Sequence, residues 1–178
     1  SCEIHGIKTF NGAKADDVIL KTASVIINTK SPLASVFDDV IIGKQAILPE
    51  VDDIVYEDRL GTTGWIYRKK ILVGTRDLLI HHGVPVLKED FEKKYTRKGR
   101  KVLYLAEAGK LMAMFVVSYS ADPQLKKALR KLEKSGMTIL VRSADPFIND
   151  ESIAELFELP DGYIRVMNSS NGRAFEKY

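Results

Sequence analysis

Two apolar runs, Lys101 to Ala106 and Lys110 to Ser118, flank the tripeptide Glu107-Ala108-Gly109, and this arrangement constrains the chain more than any other part of it. Such runs form strands, and a short connection ending in glycine folds them antiparallel, because glycine supplies the left-handed conformation that a tight turn requires. A second hairpin is predicted upstream. Asp53 to Glu57 has strand character, Gly61-Thr62-Thr63-Gly64 has turn character, and Trp65-Ile66-Tyr67 leads over a basic Arg68-Lys69-Lys70 tip into Ile71-Leu72-Val73-Gly74. The sheet of this first region is therefore expected to be mainly antiparallel.

Helical spacing precedes and follows these strands. Between Ala13 and Asn28, apolar residues at Ala15, Val18, Ile19, Ala23, Val25 and Ile26 fall on one face, opposite Asp16, Asp17, Lys21 and Thr22. Ser31 followed by Pro32 marks a new start, serine as N-cap and proline at the first helical position, with Leu33, Val36, Phe37 and Val40 continuing the stripe. Thr75 is placed to cap a short helix through Ile80 that His81-His82-Gly83 ends. Lys88 to Lys101 is charged and lacks a sustained period, which predicts a solvent-facing helix or loop.

After Asp122-Pro123 the order changes to helix (Leu125 to Ser135), strand (Met137 to Val141), helix (Glu151 to Phe157) and strand (Tyr163 to Val166). That alternation predicts a parallel α/β layer. The expected domain boundary falls at 118/119, with one region over 1–118 and another over 119–178. Ser169 to Gly172 is expected to be a loose tail.

Composition narrows function mostly by exclusion. Of 178 residues, 27 are basic and 24 acidic, spread along the length, so the net charge of +3 implies no nucleic-acid partner. The single cysteine, Cys2, has no disulfide partner. No run approaches the roughly 20 apolar residues of a membrane helix. The chain starts at Ser1 with neither an initiator methionine nor a signal-peptide pattern, so it is expected to be an excised fragment.

The order of pieces resembles P-type ATPases, in particular their heavy-metal branch. Gly61-Thr62-Thr63-Gly64 with Lys70 to Leu79 is similar to that family's glycine turn, hairpin and "VLVGN" run. Gly99 to Ala106, Gly109 and Asp122 are similar to the strands leaving its nucleotide domain, Ser135 to Pro146 to the strand ending in "TGDN", and Ser31-Pro32-Leu33-Ala34 to its "HPLA" helix start. The resemblance implies an α+β fold: an antiparallel β-sheet flanked by helices, followed by a partial α/β, haloacid-dehalogenase-like segment. It also implies a piece of a larger membrane protein, on the cytoplasmic face, whose cofactors would be ATP and magnesium and whose partners would be nucleotide and the remainder of the same protein.

Carried over residue by residue, the resemblance places nucleotide contacts at Lys30, Ser31, Gly61, Gly64, Gly74 and Thr75, with Ser143 and Asp145 facing phosphate. Several substitutions count against the chemistry. Ser31 replaces the family's adenine-side histidine, Lys30 reverses the charge of a glutamate, Arg59 takes the first glycine of its G-x-G, Thr75 replaces an asparagine, and Ala144 and Pro146 depart from "TGDN". The phosphorylated aspartate of "DKTG" would lie before Ser1, and the family's separate lysine and magnesium motif after Tyr178. The expectation is a degenerate module with binding or regulatory work; the alternative is the ATP-binding fragment of an authentic cation pump.

Read without the resemblance, the glycines are turn formers, and Ser143 and Asp145 suit a strand-end turn capping the next helix. Phe147-Ile148-Asn149-Asp150 lacks the Gly-Asp-Gly that would make it a magnesium motif. His5, His81 and His82 lack a ligand cluster, the adjacent pair being expected to point apart from a solvated helix end.

Overall fold

The computed structural model describes residues 1–29 and 31–168. Its main element is a six-stranded antiparallel sheet in the order β1-β6-β5-β4-β3-β2. The strands are β1 (Cys2–Thr9), β2 (Asp52–Glu57), β3 (Gly61–Ile66), β4 (Lys69–Gly74), β5 (Lys101–Glu107) and β6 (Lys110–Tyr119). Between β1 and β2 lie α1 (Ala15–Ile26) and α2 (Pro32–Val40); α3 (Arg76–His81) and α4 (Glu89–Lys93) lie between β4 and β5.

Both faces of the central strands are covered, which is why β5 and β6 look continuously apolar rather than alternating. Ile71, Val73, Leu103, Leu105, Phe115 and Val117 face a core completed by Val18, Leu33, Phe37 and Ile41 of the first helical pair and its exit. The residues between them, Leu72, Val102, Tyr104, Met114 and Val116, meet Leu78, Leu79 and Val84 on the other side. Phe37 sets its ring edge against Phe115, with centroids 5.0 Å apart and planes at 80°, the geometry that aromatic quadrupoles favour. Lys21 fastens the first layer from outside, pairing with Asp17 at 2.9 Å and Glu107 at 2.8 Å.

The predicted Gly61 to Gly64 turn is not one. These residues form the start of β3 and are buried, and the chain reverses instead at Asp58-Arg59-Leu60, where Arg59 takes φ 61°. The reversal after β3 falls on Tyr67 and Arg68, both left-handed at φ 47° and 64°, one step before the expected basic tip. Two left-handed residues in succession match the right-handed twist of the flanking strands, so the register is held despite the absence of glycine there. The Ala108-Gly109 turn has the expected form, at φ 49° and 80°. Strand β1 has no counterpart in the sequence reading: its irregular polarity follows from its place at the sheet edge and from a bulge between Ile4 and Gly6.

Beyond the main sheet come α5 (Pro123–Lys134), β7 (Ile139–Ser143), α6 (Asp150–Phe157) and β8 (Ile164–Asn168). Strands β7 and β8 pair in parallel, as the alternation predicts. Asp122 caps α5 by accepting from the Gln124 amide at 2.8 Å. The cap of α6 is Asn149, not Asp145 or Ser143. Its side chain accepts from the Ser152 amide at 2.8 Å, while Ser152 Oγ accepts from the Asn149 amide at 2.9 Å. Asn149→Ala should therefore cost about 1 kcal/mol and lower Tm by roughly 2–4 °C, and Asn149→Asp should restore the loss. A melting curve unchanged in the alanine variant would contradict the capping role. The expected loose tail, Ser169 to Gly172, lies outside the described residues.

Candidate functional site

The eight candidate residues fall into separate places. Lys30 lies outside the described residues. Ser31 is buried, and its Oγ accepts from the Ala34 amide at 3.2 Å and shares a 3.1 Å hydrogen bond with Thr29. Pro32 supplies the fixed φ of the first helical residue, so Ser31 to Ala34 is a helix start in full. Ser31 also lines a 740 Å³ groove with Cys2, Thr29, Ser35 and Asp38, which none of the candidate glycines reaches.

Gly61, Gly74 and Thr75 come together at the far end of β3 and β4. Gly61 and Gly74 are register partners, and a Cβ on either would stand 2.3 Å from a backbone oxygen, that of Val73 or of Leu60. The glycines therefore permit strand-to-strand approach, with Leu78 filling the space beside them. Thr75 accepts from the Leu78 amide at 3.3 Å and donates to the Leu60 carbonyl at 3.2 Å, capping α3 and closing the same junction. Gly64 lies apart from these, where a Cβ would meet Val51 at 2.5 Å.

Ser143 and Asp145 form the strand-end turn expected of them. Ser143 Oγ accepts from the Asp145 amide at 3.2 Å, and Asp145 accepts from the Phe147 amide at 2.9 Å. The second carboxylate oxygen of Asp145 accepts from the Tyr119 hydroxyl at 2.7 Å. Asp145 is 1% exposed, and burial pushes its carboxyl up to about 6 against the opposing pull of the Tyr119 and Phe147 hydrogen bonds. Cys2 stands beside this pair, its thiol pushed up to about 12 by burial first and by the Asp145 charge second, so it is held as an unreactive thiol. The Tyr119 hydroxyl is pushed well above its ordinary value by burial and then by Asp145.

Tyr119 and Cys2 are the participants that sequence reasoning missed. Tyr119 is the last residue of β6, and nothing local marks it as the partner of a carboxylate 26 positions away.

Magnesium does not suit this donor set. Both Asp145 oxygens are engaged inside the protein, whereas the ion binds through a carboxylate that shares its sphere with water. Among the described residues no three of His, Cys, Asp and Glu group to hold a metal ion. His82 turns to Glu57 at 2.6 Å, whereas His81 stays largely exposed to solvent, 4.0 Å from the same carboxylate. Lys70 lies 3.1 Å from His82 Nδ1. An ammonium can only donate, so Nδ1 accepts and the Nε2 hydrogen goes to Glu57. Arg59, at the position of the missing glycine, pairs at the surface with Glu151 at 3.2 Å.

No family model matches the chain. Copper-transporting ATPase 2 of Rhizobium meliloti (strain 1021) is 23% identical over 176 residues, covering 98% of this chain and 21% of that protein. The chain thus spans about a fifth of the length of that curated relative. Among solved structures, the N-domain of HMA6, a copper-transporting P-type ATPase, superposes with a TM-score of 0.55 at 16% identity, over 66% of this chain and 98% of that one. A zinc-transporting PIB-type ATPase in its E2.Pi state gives 0.57 at 12% identity, over 93% of this chain and 26% of that one. Among the described residues no helix is long and apolar enough to cross a membrane. The chain is similar to heavy-metal P-type ATPases along nearly its whole length, and its antiparallel sheet with flanking helices has the N-domain fold of that family.

Proposed function

We propose that this chain is a nucleotide-domain-like region of a larger membrane protein related to heavy-metal P-type ATPases, degenerate in ATP chemistry and acting as a binding or regulatory module on the cytoplasmic face. The carrying observation is the engagement of its polar groups. The Ser31 and Thr75 hydroxyls cap helices, Ser143 and Asp145 bond each other and Tyr119, and the space beside Gly61 and Gly74 holds Leu78. Groups committed to one another in this way are expensive to redirect toward a ligand, because each partner left behind is a buried unsatisfied polar atom.

The reading divides the chain into a nucleotide-domain-like region over 1–118 and a haloacid-dehalogenase-like segment over 119–178. Two parallel strands alone cannot cover their own faces, and Leu140 and Met137 remain 68% and 57% exposed. The remainder of the same protein is the partner that would cover them.

Calorimetric titration of the chain with ATP, ADP and AMP, with and without magnesium, tests the degenerate reading. The expected result is no magnesium-dependent tightening of ATP binding and no turnover. Tight, magnesium-dependent ATP binding would overturn it and favour the fragment of an authentic cation-transporting pump, the reading suggested by the end-to-end similarity to a copper-transporting ATPase.

A further inference from the structure

At the β1 edge of the sheet, on the face opposite α1 and α2, a 510 Å³ groove runs between β1 and the segment that follows α4. Among the described residues its lining carries five cationic side chains, Lys8, Lys94, Arg97, Lys98 and Arg100, together with His5, and no carboxylate. These five outnumber the net charge of the whole chain, +3. Some basic residues elsewhere pair with acids, as Arg59 does with Glu151 and Lys126 with Glu158. Among the described residues none of the five has such a partner; Lys8 and Lys94 rest over the ring of Phe91, at 4.8 and 5.8 Å.

Holding like charges together without counter-charge raises the free energy of the empty protein, and a bound polyanion recovers that energy. The local backbone adds a second observation. Lys98 is a non-glycine residue in the left-handed region, at φ 59° and ψ 34°, followed by Gly99 at φ 74°. Strain of this kind is kept where surrounding structure holds it, and here it sets Arg97, Lys98 and Arg100 around one concavity. Tyr95 lines the groove too, its ring tilted on Phe91 at 5.4 Å.

We propose that this groove is a binding site for a ligand with two or more adjacent phosphate groups, distinct from the nucleotide positions carried over from the family. Arg97 and Arg100 offer the planar, forked donors that match phosphate oxygens in pairs, while Lys8, Lys94 and Lys98 supply mobile point charges around them. The size of the groove suits a small molecule or a lipid headgroup. It is built from β1, β6 and residues 94–100 and contains none of Ser31, Gly61, Gly74 and Thr75, although Arg100 also lines the neighbouring cleft beside Thr75; the position of the amide shifts distinguishes the two.

The test uses the whole chain and two probes: inorganic tripolyphosphate in calorimetry and amide NMR, and phosphatidylcholine vesicles with or without phosphatidylinositol bisphosphate in co-sedimentation. The double variant Arg97→Gln, Arg100→Gln replaces only side chains at the groove rim. Tripolyphosphate should bind the wild type, shift the amides of residues 94–100, weaken steeply with added salt, and bind the variant at least tenfold more weakly. Binding confined to the phosphoinositide vesicles and lost in the variant supports the same site and assigns the phosphates to a lipid headgroup. The site is overturned if neither probe binds, if the variant binds as well as the wild type, or if the shifts appear around Ser31 and Gly74 instead of residues 94–100.

Discussion

Gly74→Ala is expected to lower the stability of the chain by about 3 kcal/mol or more, a fall in Tm of roughly 6–12 °C, with no nucleotide present. The added methyl would stand 2.3 Å from the Leu60 carbonyl oxygen, 2.7 Å from a Leu78 methyl and 2.9 Å from the Gly61 Cα. Two of these atoms are backbone of a neighbouring strand and loop. They cannot yield without opening the β3–β4 pairing, and Leu78 is wholly buried in the second core. Gly6→Ala is the control, since a Cβ there meets nothing within 4 Å and the residue lies on the edge strand; it should stay within about 0.5 kcal/mol of wild type. The comparison separates two roles that glycine can play. A glycine kept for ligand approach loses binding and keeps its melting temperature, whereas one kept for strand approach melts early in the empty protein. A Gly74→Ala protein melting within about 2 °C of wild type would remove the packing role assigned here.

That prediction also shows where the sequence is legible and where it is not. The β5–β6 hairpin could be read because one glycine at the right offset marks the turn and both strands are apolar throughout. The start of α2 could be read because Ser31 and Pro32 are a local signal, complete within four residues. Gly61 misled for a physical reason: glycine is required by a turn and equally by two strands whose backbones nearly touch, and the second cause needs Gly74, 13 residues on, before it becomes visible, while Gly64 makes room for the Val51 side chain. Strand β1 escaped because an edge strand is covered on one side only and a bulge shifts its alternation midway. The candidate site suffered most, since Tyr119, Cys2 and Asp145 meet only after the chain has crossed from β6 through α5 and β7. Periodicity reports which face is buried; it carries no information about which buried polar groups find each other.

That last cluster sets the pH dependence of the fold. In the native chain the Asp145 carboxyl is pushed up to about 6 by burial, while in the unfolded chain it titrates near its ordinary value of about 3.9. Between these values the native state holds the proton more tightly than the unfolded state, so stability falls as pH rises through the interval. The contribution is full below about pH 4 and gone above about pH 6, and a shift of about two units corresponds to roughly 3 kcal/mol. Asp145→Asn removes the titration and keeps an acceptor for the Phe147 amide. Its stability relative to wild type should therefore rise by about 2–3 kcal/mol between pH 4 and pH 7, read from denaturant midpoints at each pH. Tyr119→Phe supplies the converse test. It deletes a hydrogen bond that favours the ionised carboxylate, so the upper end of the interval should move to higher pH. If wild type and Asp145→Asn show parallel profiles from pH 4 to 7, the carboxyl is not the titrating group. If their difference follows the expected curve, Asp145 is protonated in the fold at mildly acidic pH and ionised only at a cost in stability.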